Sequence, residues 1–345
     1  MLMTIHGSFQ IPAHLHAIAP AEFRGLRRDQ VRMMVLDRIT GQFEHASFKE
    51  IGRYLASGDL LVFNNSRTIP AKLKGTQQQG TEFEIRLSRQ ISDTAWEGLI
   101  VGDYDRNRPI KLSEELFAEV IGNGGAEPLV RLSFSKKGLA LLNDFYRIGE
   151  PIRYEYIHEP WALDVYQTVY AAVPGSVEMP SAGRAFTWQL LQALKASGIR
   201  VAFLQLHAGL SYYGNDKWPD PNQHPEVFHI PSSTAKLVTE TKESGGRVIA
   251  VGTTVVRALE TAAVEGKVTG TKGVTKLYVD RGYLLKVVDG LLTGFHEPEA
   301  SHLDMLTAFI DEEQLKAAYQ AAIEEGYLWH EFGDVNLILS KEASL

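Results

Sequence analysis

Four places in this 345-residue chain set groups capable of proton transfer or anion binding directly after an apolar run. His207 follows IRVAFLQL, Gly252-Thr253-Thr254 follows RVIAV, His296 with Glu297 follows LLTGF, and Asn65 with Arg67 follows LLVFN. An imidazole changes charge near neutral pH and can move a proton in either direction. A glycine followed by two threonines at the start of a helix lets a ligand approach the backbone and offers free amides to an anion, with helix capping by the threonines as the plain alternative. One histidine beyond a strand is more often a structural residue than a catalyst. Four such strand ends on one rim of a parallel α/β sheet turn the expectation toward a site, because ligands gather where the strands end and the loops are free to vary.

The elements that must hold these groups are legible in the pattern of apolar residues. Thr187 suits an N-cap, Leu190, Leu191 and Leu194 share one helical face, and Gly198 suits the left-handed residue after the last turn. Ile199 to Leu206 then reads as a strand covered on both faces. Gln30 to Asp37, Leu60 to Asn64, Arg247 to Val251 and Val335 to Leu339 are further strands, and Lys276 to Asp289 is expected to carry one or two more. Helices are expected over Ser232 to Ser244, capped by Ser232 or Ser233, from Thr253 through Ala263, over Ser301 to Phe309 and over Glu312 to Gly326. From Ile69 to Tyr154 the texture changes to short β-like pieces separated by Gly, Asp and Asn, followed by a helix from Gly138 to Tyr146. That spacing suggests a small antiparallel barrel. The Gly122-Asn123-Gly124-Gly125 run reads as a turn, since no βαβ pattern surrounds it.

The fold expected is therefore α/β: an α/β barrel-like main domain of residues 1–68 and 155–345, with a small antiparallel β-barrel domain inserted at 69–154. Between His207 and Ser232 lies a loop rich in Pro, Asn and Asp whose Tyr212, Tyr213, Trp218 and Phe228 favour an ordered lid. Its His224-Pro225-Glu226 and His229 invite a metal reading, but the spacing lacks a helix and matches no specific metal-site signature, so no metal is expected.

Composition sets outer limits. With 44% hydrophobic and 22% charged residues this is an ordinary globular chain. No apolar run approaches the roughly 20 residues that span a bilayer, so no membrane partner and a cytoplasmic location are expected, with a monomer as the assembly. Zero cysteines remove disulfides, thiolate nucleophiles and Cys-ligated metals. The formal charge of -7 argues against broad attraction to nucleic acid and leaves room for a local basic groove, such as the cluster Arg24, Arg27, Arg28 and Arg32, for which a solvated surface is the commoner explanation.

Several long stretches, among them LVFNNSRTIPAKLKG, YQTVYAAVPGSVEMPSAG, GGRVIAVGTTVVRALETAA, VVDGLLTGFHEP and FGDVNLI, resemble the S-adenosylmethionine:tRNA ribosyltransferase-isomerases of queuosine biosynthesis. The likeness covers Leu26 to Gly75 and Gly149 to Leu339 and is loose in the β-rich middle. It implies an α/β main domain with an inserted β-barrel, S-adenosylmethionine as co-substrate, and tRNA as the acceptor. It also implies a reaction in which the ribosyl group passes, with rearrangement, to the aminomethyl group of a modified guanine, releasing adenine and methionine. The sulfonium acidifies the neighbouring C5′ hydrogens, so a positioned base, a proton for departing adenine and a pocket closed to water are what the protein must supply. Carried over position by position, the catalytic candidates are His207, His296, His224 and Glu226. The substrate-binding candidates are Arg67, Tyr166, Gln167, Tyr170, Ser176, Gly183, Gly252, Thr253, Thr254, Arg257 and Asp334.

The departures from the family pattern cluster in the pocket motifs. PTAGLHFT becomes Pro180-Ser181-Ala182-Gly183-Arg184-Ala185-Phe186-Thr187, so a histidine gives way to Ala185 and a leucine to Arg184. SYGDAML becomes Glu331-Phe332-Gly333-Asp334-Val335-Asn336-Leu337, and LHVGxGTF becomes Leu206-His207-Ala208-Gly209-Leu210-Ser211-Tyr212-Tyr213. Losing a histidine removes a proton carrier, and the added charges need partners in a closed site. Two alternatives to the family reaction stand beside it: a paralogue using S-adenosylmethionine on a non-tRNA acceptor, and a binding protein without catalysis.

Overall fold

The computed structural model describes residues 9–77, 80–214, 219, 225–296 and 301–340. Its larger sheet has nine strands in the hydrogen-bonded order Thr271–Thr275, Glu226–Ile230, Arg200–Leu206, Leu60–Asn64, Val248–Val251, Gly290–Gly294, Val335–Leu339, Arg32–Asp37 and Phe43–Ser47. The four strands from Arg200–Leu206 to Gly290–Gly294 are mutually parallel. Val335–Leu339 runs against them and alongside Arg32–Asp37. Four carboxyl ends and two amino ends therefore meet on one rim, which is where His207, Asn65, Gly252, His296, Asp334 and Arg32 lie.

The side-chain period of two divides this sheet's apolar residues between two layers. Leu60, Val62, Ala202, Val248 and Ala250 join one core with the helices Ser232–Glu243, Thr253–Ala262 and Glu312–Glu324. Leu61, Phe63, Ile249 and Val251 join the other, against Leu190, Leu191 and Leu194 of the helix Trp188–Ala196. The latter helix starts as its sequence predicts, with Thr187 Oγ1 accepting from the Leu190 amide at 3.1 Å.

The smaller sheet is a closed barrel of six strands in the order Val130–Phe134, Ala95–Val101, Glu82–Gln90, Lys72–Thr76, Ile110–Lys111 and Phe117–Asn123. Every neighbouring pair is antiparallel, and closure removes free edges. Helix Gly138–Ile148 closes its core through Phe145, whose ring packs on Trp96 at 5.7 Å and Phe134 at 5.3 Å. The mixed α/β class and the inserted barrel are as expected. In the larger sheet the ladder ends on Thr271–Thr275 at one side and Phe43–Ser47 at the other, so among the described residues hydrogen-bonded closure belongs to the smaller barrel.

Local expectations fail where a side chain competes with the backbone. Lys276 to Asp289 carries no strand, because the amides of Lys286, Val287 and Val288 donate instead to the buried carboxylate of Glu260 at 2.8, 3.1 and 3.0 Å. Helix Ser232–Glu243 is preceded by Pro231 with no side-chain cap, so neither serine has the capping role. The helix Thr253–Ala262 likewise begins at Gly252 with no side-chain cap, which removes the threonine capping alternative. Strand Arg200–Leu206 is buried on alternate residues, not throughout, and Gly122-Asn123 belongs to a strand before the chain turns. Helix Ser301–Leu306 ends earlier than Phe309.

Candidate active site

His207 leaves the sheet at the end of Arg200–Leu206, and its Nδ1 lies 2.7 Å from the Ser66 hydroxyl. Ser66 belongs to the short strand Ser66–Thr68, which pairs in parallel with Val173–Ser176. That pairing presses Gly175 against the imidazole: a Cβ there would stand 2.6 Å from Nδ1, and φ is +153°. Glycine is required on both counts. The next residue, Ser176, accepts the Ala208 amide through Oγ at 2.9 Å, fixing the chain just past the imidazole. Burial pushes the His207 pKa below the usual imidazole value of 6.5, so the ring is neutral at pH 7 and can accept a proton.

Asn64 ties three rim segments together. Its Nδ2 donates to Leu206 O at 2.8 Å and to Thr254 Oγ1 at 3.2 Å, while its Oδ1 accepts from the amides of Leu206 at 3.0 Å and Ser66 at 3.1 Å. Gly252, with φ of +97°, turns the strand Val248–Val251 into its helix. An added Cβ there would meet only Ala182 Cβ and Thr254 Oγ1, each at 3.6 Å, so the surroundings leave room beside the first amides of the helix. Those amides have no intrahelical acceptor and carry the positive end of the helix dipole. His296 Nε2 lies 3.0 Å from Thr293 Oγ1, and its ring stacks on His302 at 4.6 Å. His207 and His296 leave strands three interstrand steps apart, about 14 Å at ~4.8 Å each.

The other sequence-identified residues divide by what holds them. Glu226 is ion-paired with Arg257 and accepts the Gly209 amide at 3.4 Å beside the rim. Arg257 also donates to Leu277 O at 3.0 Å, and burial pushes its pKa down to about 10. Gln167 brackets the Thr68 backbone, accepting its amide at 3.1 Å and donating to its carbonyl at 2.8 Å. Asp334 accepts the amides of Arg32 and Leu328, each at 2.7 Å, and burial raises its pKa. Tyr170 is core: its ring packs on Phe63 at 4.9 Å and Phe203 at 5.5 Å, with Gly183 against its hydroxyl. Tyr166 is buried against Phe332. Arg67 is exposed beside the rim, and His224 lies outside the described residues. In the arginine cluster, Arg27 pairs with Asp29, Arg28 with Glu22 and Arg32 with Glu325, while Arg24 is partly buried and donates to Phe332 O at 2.9 Å, so only part of the cluster is a solvated surface.

Four residues of the rim escape the sequence argument. Ser66 and Asn64 sit in a polar stretch whose Asn65 and Arg67 drew attention instead. Only the parallel pairing with Val173–Ser176 shows that Ser66 faces His207. Glu178 and Glu331 are separated by half the chain, and nothing in local spacing joins them. Glu331 does replace a serine of the family motif, which was the one available signal.

A parallel core with its polar groups on one rim, and a closed barrel packed beside it through Leu210 and Tyr213, defines an α/β enzyme of two sheets. The chain belongs to the family described as queuosine biosynthesis protein, which it matches over residues 6–338. It is 36% identical over 337 residues to an S-adenosylmethionine:tRNA ribosyltransferase-isomerase of Sulfurihydrogenibium sp. (strain YO3AOP1), covering 96% of this chain and 98% of the relative. An enzyme of the same name from Carboxydothermus hydrogenoformans is 37% identical over 338 residues, with 96% and 98% covered. Among solved structures, the S-adenosylmethionine tRNA ribosyltransferase of Thermotoga maritima matches with a TM-score of 0.55 and 30% identity, over 96% of this chain and 99% of that one. Among the described residues no helix is long and apolar enough to cross a membrane.

Proposed function

We propose that this enzyme transfers and isomerises the ribosyl group of S-adenosylmethionine onto the aminomethyl group of 7-aminomethyl-7-deazaguanine in tRNA, yielding epoxyqueuosine-tRNA, adenine and methionine. The observation that carries the reading is the meeting, on one rim, of a neutral, partly buried imidazole and a helix N-terminus with room beside it, held in register by Asn64. The relatives' names supply S-adenosylmethionine and tRNA; the rim supplies groups suited to them.

In this reading the Thr253 and Thr254 amides bind the methionine carboxylate, the anion for which the positive end of a helix is suited. His207 accepts a proton at Nε2, since Nδ1 is engaged with Ser66. Ser66 and Gly175 fix the plane of the ring, so the base is oriented before substrate arrives. His296, steadied by Thr293 and His302, stands at the opposite end of the rim to deliver a proton to departing adenine. The strands that carry the two imidazoles stand about 14 Å apart at ~4.8 Å per step, a separation that suits a nucleoside carrying an amino-acid arm. Arg257 and Glu226 hold the Gly209 turn behind His207, and Arg67 is the exposed cation nearest a tRNA phosphate.

Purified enzyme incubated with S-adenosylmethionine, with and without tRNA carrying the aminomethyl base, tests this directly. The expected result is adenine, methionine and epoxyqueuosine-tRNA only when that tRNA is present. Adenine release without tRNA would favour a different acceptor, and binding without release on any acceptor would contradict the reaction. Because His207 must be neutral, the rate should fall as pH drops below 6.5 toward its lowered pKa.

A further inference from the structure

We propose that the cluster of Glu178, Tyr154 and Glu331, each partly exposed, binds a primary ammonium group, and that Glu331 removes the proton such a group must lose before its nitrogen can act as a nucleophile. Glu178 Oε1 accepts the Ser211 amide at 2.8 Å, and the Tyr154 hydroxyl bonds to the Ser211 hydroxyl and to Glu178. Glu331 differs: its Oε1 is fully shielded from solvent and has no hydrogen-bond partner among the described residues. A shielded, unsatisfied carboxylate oxygen facing a second carboxylate calls for a cation, because burial of two like charges is unfavourable without one.

The charged groups around the pair are already engaged. Arg184 lowers the Glu331 pKa, but its guanidinium is held by Glu22 at 3.0 Å and by Val165 O at 3.0 Å, 5.1 Å from the Phe332 ring centre. Tyr154 and Tyr166 are both raised, by burial first and then by the glutamate charge, so they remain neutral. A stack of rings runs on from Tyr154: Tyr154 on Tyr156 at 5.7 Å, Tyr156 on His330 at 4.3 Å, and His330 on His16 at 4.7 Å, with the titratable imidazoles of His330 and His16 bonded to each other, Nε2 to Nδ1. His330, which precedes Glu331, has φ of +73°, an uncommon conformation for a residue with a side chain and one that collects at functional sites. Burial, and then the Glu178 charge, push the Glu331 carboxyl up to about 8 against the pull of Arg184, and burial also raises Glu178. In the absence of a cation the pair thus retains a proton.

The position suits the reaction, on which this inference rests. Glu178 lies two residues beyond Ser176, which anchors Ala208 next to His207, and Glu331 lies three before Asp334 on the same rim. Both reactants of that reaction bring a primary ammonium: the α-ammonium of the methionine arm and the aminomethyl group of the base. The ammonium displaces the pair's own proton to solvent on binding, so Glu331 is then a carboxylate; for the aminomethyl group one N–H bond next breaks and one O–H bond forms on Glu331, leaving a neutral amine and a neutral carboxyl. Glu331 stands where the family motif has serine, and the chain has lost the motif's histidine at Ala185, so a proton carrier gained accompanies one lost.

Methylammonium chloride serves as a probe that needs no turnover. It should raise the melting temperature of the wild type relative to sodium chloride at equal concentration, and should not do so for Glu331→Gln. Kinetics then separate the two sources. An α-ammonium occupant predicts that Glu331→Gln and Glu178→Gln weaken S-adenosylmethionine binding about tenfold with KM for tRNA unchanged. An aminomethyl occupant predicts unchanged S-adenosylmethionine binding, a fall of about 10²-fold in kcat/KM for tRNA, and loss of a pH-rate limb near 8. No methylammonium shift in the wild type, together with wild-type binding, kcat/KM and pH profile in both variants, overturns the inference. A methylammonium shift in an enzyme that releases no adenine leaves this site standing and removes the reaction.

Discussion

The closed barrel and the rim of the larger sheet treat buried polar groups in opposite ways. In the barrel strands the buried polar side chains are few, chiefly Ser88 and Glu97, and Glu97 is fully engaged by Arg89 at 2.9 Å and the Gly125 amide at 2.9 Å. At the rim Asn64, Ser66, Ser176, Thr253, Thr293, Asp334 and Asn336 are all buried. Burying polar atoms costs stability, so a domain built for stability alone avoids it and a site tolerates it. The contrast separates a region that holds shape from the one we propose holds reactants.

Variants can break or sharpen this contrast. The largest effect on stability is expected in the barrel: Phe145→Ala should cost about 3–5 kcal/mol in denaturant unfolding by opening a cavity against Trp96 and Phe134, with adenine release per folded molecule retained. At the rim Gly175→Ala should do the reverse. Its methyl group displaces His207, and a misplacement near 1 Å costs about 10²-fold in rate with a much smaller loss of stability. Asn64→Ala falls between, since it both orphans buried backbone groups and loosens Thr254: about 1–3 kcal/mol of stability, with a measurable fall in rate.

A pH dependence sharpens the contrast in a different way. Glu331 has its folded pKa raised from 4.5 to about 8, so the folded state binds its proton more tightly than the unfolded chain does. Its contribution to stability is complete below pH 4.5 and is lost as pH rises through about 8. The melting temperature of Glu331→Gln should therefore gain on that of the wild type across this window, and a constant difference between the two would contradict the assignment.

Much of this architecture was legible in the sequence because apolar runs and turn residues carry their own period. Leu60–Asn64 and Val335–Leu339 match their expected bounds, and Thr187 caps its helix. What stayed hidden depends on partners far along the chain. The Glu260 carboxylate removes a strand expected at Lys276 to Asp289 by taking its amides, an exchange local pattern cannot show. The rim was visible as four strand ends, yet the partners that tune it were not: Ser66 reaches His207 across 141 residues, and Glu178 and Glu331 acquire chemistry only by facing each other in the folded chain. Family motifs also marked Tyr170 and Gln167, which the fold uses for packing and backbone bracing.

Single-turnover release of adenine from S-adenosylmethionine on precursor tRNA, compared among wild type, His207→Ala and His296→Ala, tests the central claim that both ends of the rim serve one reaction. The account predicts that each variant loses about 10²–10⁴-fold in rate while its melting temperature stays close to that of the wild type. Wild-type rates in both variants would contradict it.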